Sequence, residues 1–294
     1  MATLRDIRQR IVAVKSTVKI TSAMKMVAAA KLRRAQDAII AARPYANKLA
    51  EVLGNLASAE IDFAHPFFDK REDVNNVLVI VVSSDRGLCG AFNSNILKAA
   101  TVHIDKTLKA EYPKAKFYVL PIGRRAATFF NRRNNPIAAS FPDVFGKLDF
   151  TTILQVAPIV TEGFINGSYD RVHVIFNEFK SMIKQEIRIN PLLPVEPSAT
   201  VGQKRASTDY IYEPSRGEIL ENLLPRYLNL QLWRALLDSN AAEQAARMMA
   251  MENATTNAKD LINSLQLEYN KARQAAITKE MLEIVGGAEA LKSA

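Results

Sequence analysis

From Leu4 onward the residues Ile7, Ile11, Val14, Val18, Thr21, Lys25, Ala28, Leu32, Ala35, Ile39 and Ala42 recur at alternating steps of three and four, and only Thr21 and Lys25 are not apolar. This is the a/d heptad of a left-handed coiled coil, with small alanines that let a partner helix come close. It predicts one long helix that starts at Thr3 and Asp6, bends at Pro44 and ends near Ala59. The C-terminal segment carries the same alternation through Leu237, Ala241, Gln244, Met248, Met251, Thr255, Ala258, Ile262, Leu265, Tyr269, Ala272 and Ala276. Ser215 and Glu218 form a capping box at its expected start. Pro225 predicts a kink or a short separate first turn, and the next breaker is Gly286-Gly287. At 1.5 Å per residue the arms would extend about 80 and about 100 Å, too far for either stripe to bury itself in one domain. Each seam needs the other, so the expected architecture is an antiparallel hairpin with the middle of the chain folded as a domain at its turn.

The second arm is the longer, and its overhang is apolar: Ile277, Met281, Leu282, Ile284, Val285 and Leu291. Leaving such side chains wet forgoes roughly 1.5 to 3 kcal/mol each. Either the tail folds back to cap the hairpin, or another protein supplies a sleeve.

Between residues 75 and 215 the pattern changes to short apolar runs, Val77 to Ser83, Phe117 to Ile122, Ile137 to Phe141 and Val172 to Phe176. Amphipathic stretches such as Asn93 to Ala110 and Phe150 to Ile165 fall between them, which argues for a Rossmann-like α/β sheet with helices on its faces. A further extended pair, Glu186 to Ile189 and Tyr210 to Tyr212, flanks a Pro-rich loop from Asn190 to Ser198 and a polar loop from Thr200 to Asp209. The fold class is therefore α/β, a long antiparallel coiled coil plus a central α/β domain, divided as 1–60, 75–214 and 215–294.

The first strand runs into Ser84-Asp85-Arg86-Gly87-Leu88-Cys89-Gly90 and then a helix, where a nucleotide phosphate would sit in a dinucleotide-binding fold. The loop has neither G-x-G-x-x-G nor a P-loop, and no lysine follows its second glycine, so a structural turn is the better reading. The histidines His65, His103 and His173 lack metal-ligand spacing, and His173 reads as a core residue within a strand. Glu280 and Glu283 read as a solvated helix face.

Composition narrows the classes. With 48% hydrophobic and 23% charged residues the chain has material for a real core. The single cysteine, Cys89, excludes an internal disulfide framework. No run approaches the roughly 18 apolar residues of a membrane span, and Arg5, Asp6 and Arg8 follow Met1 where a signal-peptide core would begin. The net charge of +9 is concentrated in the first 48 residues, where Lys and Arg far outnumber Asp6 and Asp37. Such a basic arm can meet nucleic acid, anionic lipid or an acidic protein surface, and composition does not choose among them.

Three segments together resemble the gamma subunit of F-type ATP synthases, the rotor shaft of that machine. They are Ile7-Arg8-Gln9-Arg10-Ile11 with Lys19-Ile20-Thr21-Ser22-Ala23-Met24-Lys25-Met26-Val27-Ala28-Ala29-Ala30-Lys31; the Ser84 to Gly90 loop; and Tyr269-Asn270-Lys271-Ala272-Arg273-Gln274-Ala275-Ala276-Ile277-Thr278-Lys279-Glu280 with Glu283-Ile284-Val285-Gly286-Gly287-Ala288. The resemblance implies a non-catalytic subunit without cofactor or metal, present once per complex. Its partners would be the alpha and beta subunits, the epsilon subunit and the membrane c-ring, with no nucleic acid. It further implies that Arg273, Gln274, Thr278 and Glu283 meet a beta-subunit loop, that Met24 and Lys25 pass an acidic segment of beta, and that Arg33 and Arg34 also face an acidic protein. Ile277, Met281, Leu282, Ile284 and Val285 would be the tip that turns in a hydrophobic bearing. Chloroplast members carry a redox-switchable cysteine pair; with Cys89 alone no thiol regulation is expected. The implied location is peripheral, on the cytoplasmic face of a bacterial inner membrane. On the residues alone two other readings stand beside this one: a basic coiled-coil adaptor, and an enzyme that uses the middle domain.

Overall fold

The structure, a computed structural model, describes residues 3–59, 65–195, 213 and 215–292. Helix α1 spans Leu4–Ala59, and α6 spans Arg216–Lys292. Between them lie β1 (Asn76–Val82), α2 (Phe92–Val102), a π-helical stretch at His103–Leu108, α3 (Lys109–Glu111), β2 (Lys116–Ile122), α4 (Arg124–Arg132), α5 (Thr151–Ile165), β3 (Arg171–Phe179) and β4 (Gln185–Leu193). The chain divides into two compact units, residues 29–247 on the one hand and 1–28 with 248–294 on the other.

In the larger unit the four strands lie in the order β2-β1-β3-β4. β1 pairs in parallel with β2 and β3, and β3 pairs antiparallel with β4. β1 is central and buried on both faces, as a parallel strand made almost wholly of Val, Leu and Ile should be. Its side chains alternate between two cores. Leu78, Ile80 and Val82 join α5, the first turns of α6 and Leu49 and Leu53 of α1; Val77, Val79 and Val81 join α2 and α4. Each fully buried side chain of this kind contributes about 1.5 to 3 kcal/mol.

The start of the sheet is fastened by Asp170. Burial pushes its pKa up, but amide bonds from Asn76 and Asn75, together with Arg71, outweigh burial and hold it below the usual carboxylate range. Arg71 also donates to the carbonyls of Tyr169 and Phe164, so one guanidinium closes the turn between α5 and β3.

Three expectations change. Ile137 to Phe141 is not a strand but touches β2 through two isolated bridges, Val119 to Ile137 and Ile122 to Phe141. Pro121 lacks an N–H, which interrupts the ladder, and it sits on an edge strand where that is tolerated. The stretch from Asn190 to Leu193, expected as loop, belongs to β4, which is also an edge strand and accepts Pro191. Of the two forms expected at Pro225 the separate first turn is absent, since Pro225 lies inside α6, and Pro44 lies inside α1 as expected. Gly286-Gly287 does not end α6, which continues to Lys292 although each glycine costs about 1 kcal/mol there. The expected strand at 210–212 and the polar loop at 200–209 lie outside the described residues, as do residues 196–198 of the expected Pro-rich loop.

Both expected helix starts are present. Asp6 N–H donates to Thr3 Oγ1 at 3.2 Å while Thr3 N–H donates to Asp6 Oδ2 at 3.0 Å, and Glu218 N–H donates to Ser215 Oγ at 3.3 Å.

One buried carboxyl on α6 is poorly compensated. Burial raises the Asp238 pKa to about 6, because Arg234, the nearest cation at 3.7 Å, is mostly exposed and Arg43 and Lys180 only partly oppose both burial and Glu178. The folded state therefore holds the proton more tightly than the unfolded chain, and stability falls as pH rises from about 4 to about 6. Asp238→Asn is expected to raise unfolding free energy by up to about 3 kcal/mol near pH 7.5 and by almost nothing near pH 4, read by urea denaturation.

Candidate functional site

Except for Ala276, which is exposed, the seam residues lie where the heptads put them. In the smaller unit Ile7, Thr21 and Ala28 are buried on α1, and Met251, Thr255, Ala258 and Leu265 are buried on α6. Thr21 and Thr255 join hydroxyl to hydroxyl at 2.7 Å, and Lys25 pairs with Glu252. As the α1 number rises the α6 number falls, so the helices run antiparallel. In the larger unit Leu32 and Ala35 of α1 pack with Ala241 and Ala245 of α6. The two polar interruptions of the α1 stripe are thus the two positions with polar partners on α6. Each threonine hydroxyl also has a carbonyl of its own helix within reach, Thr17 at 3.0 Å and Met251 at 2.7 Å.

Beyond Ala272 the seam stops. Every residue from 273 to 288 is exposed, although the helix continues. Ile277 is 47% exposed, and Met281, Leu282, Ile284 and Val285 are each at least 60% exposed, so the tail does not fold back over them among the described residues. Leu291 lies where the side chains are outside that description. Arg273, Gln274, Thr278 and Glu283 share this segment; the Thr278 hydroxyl donates to Gln274 O at 2.9 Å, and Glu283 lies 3.7 Å from Lys279. Met24 is half-buried beside Lys25, whose partner Glu252 is 21 residues from Arg273, about 30 Å along the helix. The candidate contacts therefore form two zones in this unit. Arg33 and Arg34 are exposed and belong to the larger unit.

The loop after β1 is a turn whose polar groups bond within it and to the segments packed against it. Ser84 Oγ donates to Arg86 O at 2.7 Å, Ser84 N–H to Asn93 Oδ1 at 3.1 Å, and Asn93 Nδ2 to Ser84 Oγ at 2.7 Å. The Asp85 carboxylate accepts from the amides of Arg124, Asp143 and Phe145. Gly123 faces this loop at φ 95°, and a Cβ there would lie 2.2 Å from Ser83 O. Cys89 is buried, and burial pushes its thiol pKa up.

Sequence reasoning missed a link from α6 to this loop. Arg247 donates to Gly87 O and to Glu243, and both side chains of this i,i+4 pair are nearly inaccessible. Burial raises the Glu243 pKa while Arg247 pulls it back. The spacing was readable; burial on the face beside the main seam was not. His103 and His173, far apart in sequence, come within 5.2 Å between ring centroids, and burial first, then His103, lowers His173 to about 4. Among the described residues no group of three or more His, Cys, Asp or Glu side chains is placed to hold a metal.

A family model described as ATP synthase matches residues 3–291. The chain belongs to the ATP synthase gamma-chain family. The ATP synthase gamma chain of Chlorobaculum tepidum is 51% identical over 292 residues, covering 99% of this chain and all of the relative. That of Chlorobium phaeobacteroides (strain DSM 266) is 50% identical with the same coverage. Among solved structures, a chain from the central stalk and c-ring of Tetrahymena thermophila mitochondrial ATP synthase is 27% identical with TM-score 0.58, covering 80% of this chain and 99% of that one. A rotor chain of Euglena gracilis mitochondrial ATP synthase, 20% identical, shares the fold with TM-score 0.63 over 93% of this chain and 98% of that one. A gamma chain is a non-catalytic subunit of its complex.

Thr21→Val and Thr255→Val are each expected to cost roughly 0.5 to 1.5 kcal/mol, and the double variant less than their sum, in thermal or urea unfolding. Replacing Ile277, Met281, Leu282, Ile284 and Val285 together by Gln should leave the unfolding midpoint of the isolated chain nearly unchanged while reducing its binding of an apolar dye, since these groups bury little in the chain alone.

Proposed function

We propose that this chain is the central rotary shaft of an F-type ATP synthase, coupling ion flow through the membrane sector to ATP synthesis or hydrolysis at sites on the beta subunits. The observation that carries the reading is the exposed end of α6: a helix that keeps five large apolar side chains in water after its partner has ended is built for a sleeve supplied by other chains. Dispersion contacts are weak individually and have little directional preference, so an apolar tip in an apolar collar meets little resistance as it turns. Hydrogen bonds at the same place would lock preferred angles.

The other candidate residues then receive roles. Arg273, Gln274, Thr278 and Glu283 line a contact with a beta-subunit loop. Met24 and Lys25 pass an acidic segment of beta, and Arg33 and Arg34 extend that basic face. Lys25 pairs with Glu252 and Lys48 with Glu51, and the other cations of the first 48 residues are exposed, which leaves those available to acidic partners. Segments 1–60 and 215–294 form the shaft and 75–214 the head that meets the epsilon subunit and c-ring. Among the described residues no helix is long and apolar enough to cross a membrane. The chain is placed peripherally on the cytoplasmic face of a bacterial inner membrane, held through its partners.

Mixing the purified chain with the alpha and beta subunits of its source tests the reading. One copy of the chain with three alpha and three beta subunits, active in ATP hydrolysis, is expected by native mass; a chain that stays apart from correctly folded partners overturns it. In that complex reconstituted with its membrane sector, Met24→Lys should lower ATP-driven ion pumping more than ATP hydrolysis, because it adds a charge at a close contact. Unchanged pumping would remove Met24 from the contact.

A further inference from the structure

The turn that joins α5 to β3 contains Asn166-Gly167. In this dipeptide an asparagine side chain is most open to attack by the next backbone nitrogen, because glycine has no Cβ to crowd that nitrogen. Residues 165–168 are all exposed, and a Cβ added at Gly167 would meet nothing within 4 Å, so water and base reach the pair freely. Asn166 Oδ1 accepts from Ser168 N–H at 3.1 Å. The side-chain amide therefore arches over the Gly167 peptide, and the bond draws electron density from the carbonyl that would be attacked. Gly167 N–H itself is held only by a long bond to Phe164 O, 3.3 Å.

Both flanks of the turn, by contrast, are fixed. Asn166 N–H donates to Glu162 O and Tyr169 N–H to Gly163 O, each at 2.9 Å. Arg71 spans the turn, donating to Phe164 O at 2.6 Å before it and to Tyr169 O and Asp170 Oδ1 at 2.9 and 3.0 Å after it. Asp170 in turn accepts the amides of Asn75 and Asn76 at the start of β1. Asn166 sits at ψ 3°, and closing a five-membered ring needs that bond to rotate well away from this value. The Arg71 clamp therefore sets how often the turn reaches reactive geometry.

We propose that Asn166 is a site of slow deamidation, a covalent mark of the chain's age whose rate is governed by the Arg71 clamp and whose product loosens that clamp. Gly167 N bonds to Asn166 Cγ, the Cγ–Nδ2 bond breaks, and the proton from Gly167 N leaves with the amide as ammonia, closing a succinimide. Water then opens the ring at Cγ to give aspartate, or at the backbone carbonyl to give isoaspartate, whose main chain runs through Cβ and Cγ. The sum is one water consumed and one ammonia released, with no change of oxidation state. Either product puts a carboxylate at the C-terminus of α5, four residues after Glu162, where the helix dipole and the like charge both oppose it. Isoaspartate also lengthens the backbone between the two carbonyls that Arg71 holds.

The test follows the purified full chain in mildly alkaline buffer made with water enriched in heavy oxygen, read by peptide mass spectrometry. The label should enter at Asn166 in proportion to hydroxide, about tenfold faster than at Asn134, which is also exposed but precedes Asn135 rather than glycine. A methyltransferase specific for isoaspartate should methylate the same peptide. Asn166→Gln, which could close only a six-membered ring, should lose the label. Arg71→Lys, which cannot span both carbonyls and Asp170 with one planar fork, should speed labelling severalfold. Aged chain should exchange its Asn75 and Asn76 amides faster than fresh chain, and aged Asn166→Gln should not; this comparison stands even where Arg71→Lys fails to fold. Label that appears at Asn166 only after unfolding in urea overturns the proposal, because the folded turn then protects the site. Label without any change of exchange at Asn75 and Asn76 overturns the link to the clamp.

Discussion

The antiparallel seam between α1 and α6 is the contact on which the rest depends. A helix of 56 residues and one of 77 cannot each find a core of its own, and isolated helices gain most of their stability from packing an apolar stripe. Here each stripe is the other's core, in the small unit through Thr21 with Thr255 and in the large unit through Leu32 and Ala35 with Ala241 and Ala245. The sheet then draws on the same helices. Leu49 and Leu53 of α1, and Leu220, Leu224 and Leu228 of α6, complete the core on one face of β1. Register along the seam therefore also governs how the sheet is covered.

Polar residues in that seam have a physical use. Thr21, Thr255, Lys25 and Glu252 contribute only modest net stability, about 1 kcal/mol or less for each group: the hydroxyls have carbonyl acceptors of their own helices, and the ion pair is half-exposed. Sliding one helix by a heptad would leave Thr21 and Thr255 against apolar neighbours and separate the charges. An alanine-rich stripe is otherwise tolerant of such slips, so a few polar matches specify the pairing that packing alone defines weakly.

Periodicity made the seam legible in the sequence because a heptad reports directly which side of a helix is covered: the a/d positions from Ile7 to Ala42 and from Leu237 to Ala272 are all buried or half-buried. The first strand was legible because its apolar run is unbroken. Ile137 to Phe141 misled because an apolar run cannot reveal that Pro121 on the neighbouring strand has no N–H to offer. Gly286-Gly287 misled because glycine weakens a helix without forbidding it. The exposed tip could be placed by comparing arm lengths, but the Arg247–Glu243 link to Gly87 and the approach of His103 to His173 depend on chain-distant packing that no local pattern encodes. The residues assigned to partner contacts came from resemblance, and their exposure is a property of this chain alone.

The bare end of α6 also bears on how such a protein is made. If the proposed collar of other polypeptides covers these side chains, then until it exists each newly made copy carries a sticky end. Copies produced in excess would find one another through Met281, Leu282, Ile284 and Val285 before finding anything else. On that reading, synthesis matched in amount and timing to that of the neighbours would keep such ends covered, and the feature that suits the chain to an assembly makes it a poor solitary molecule.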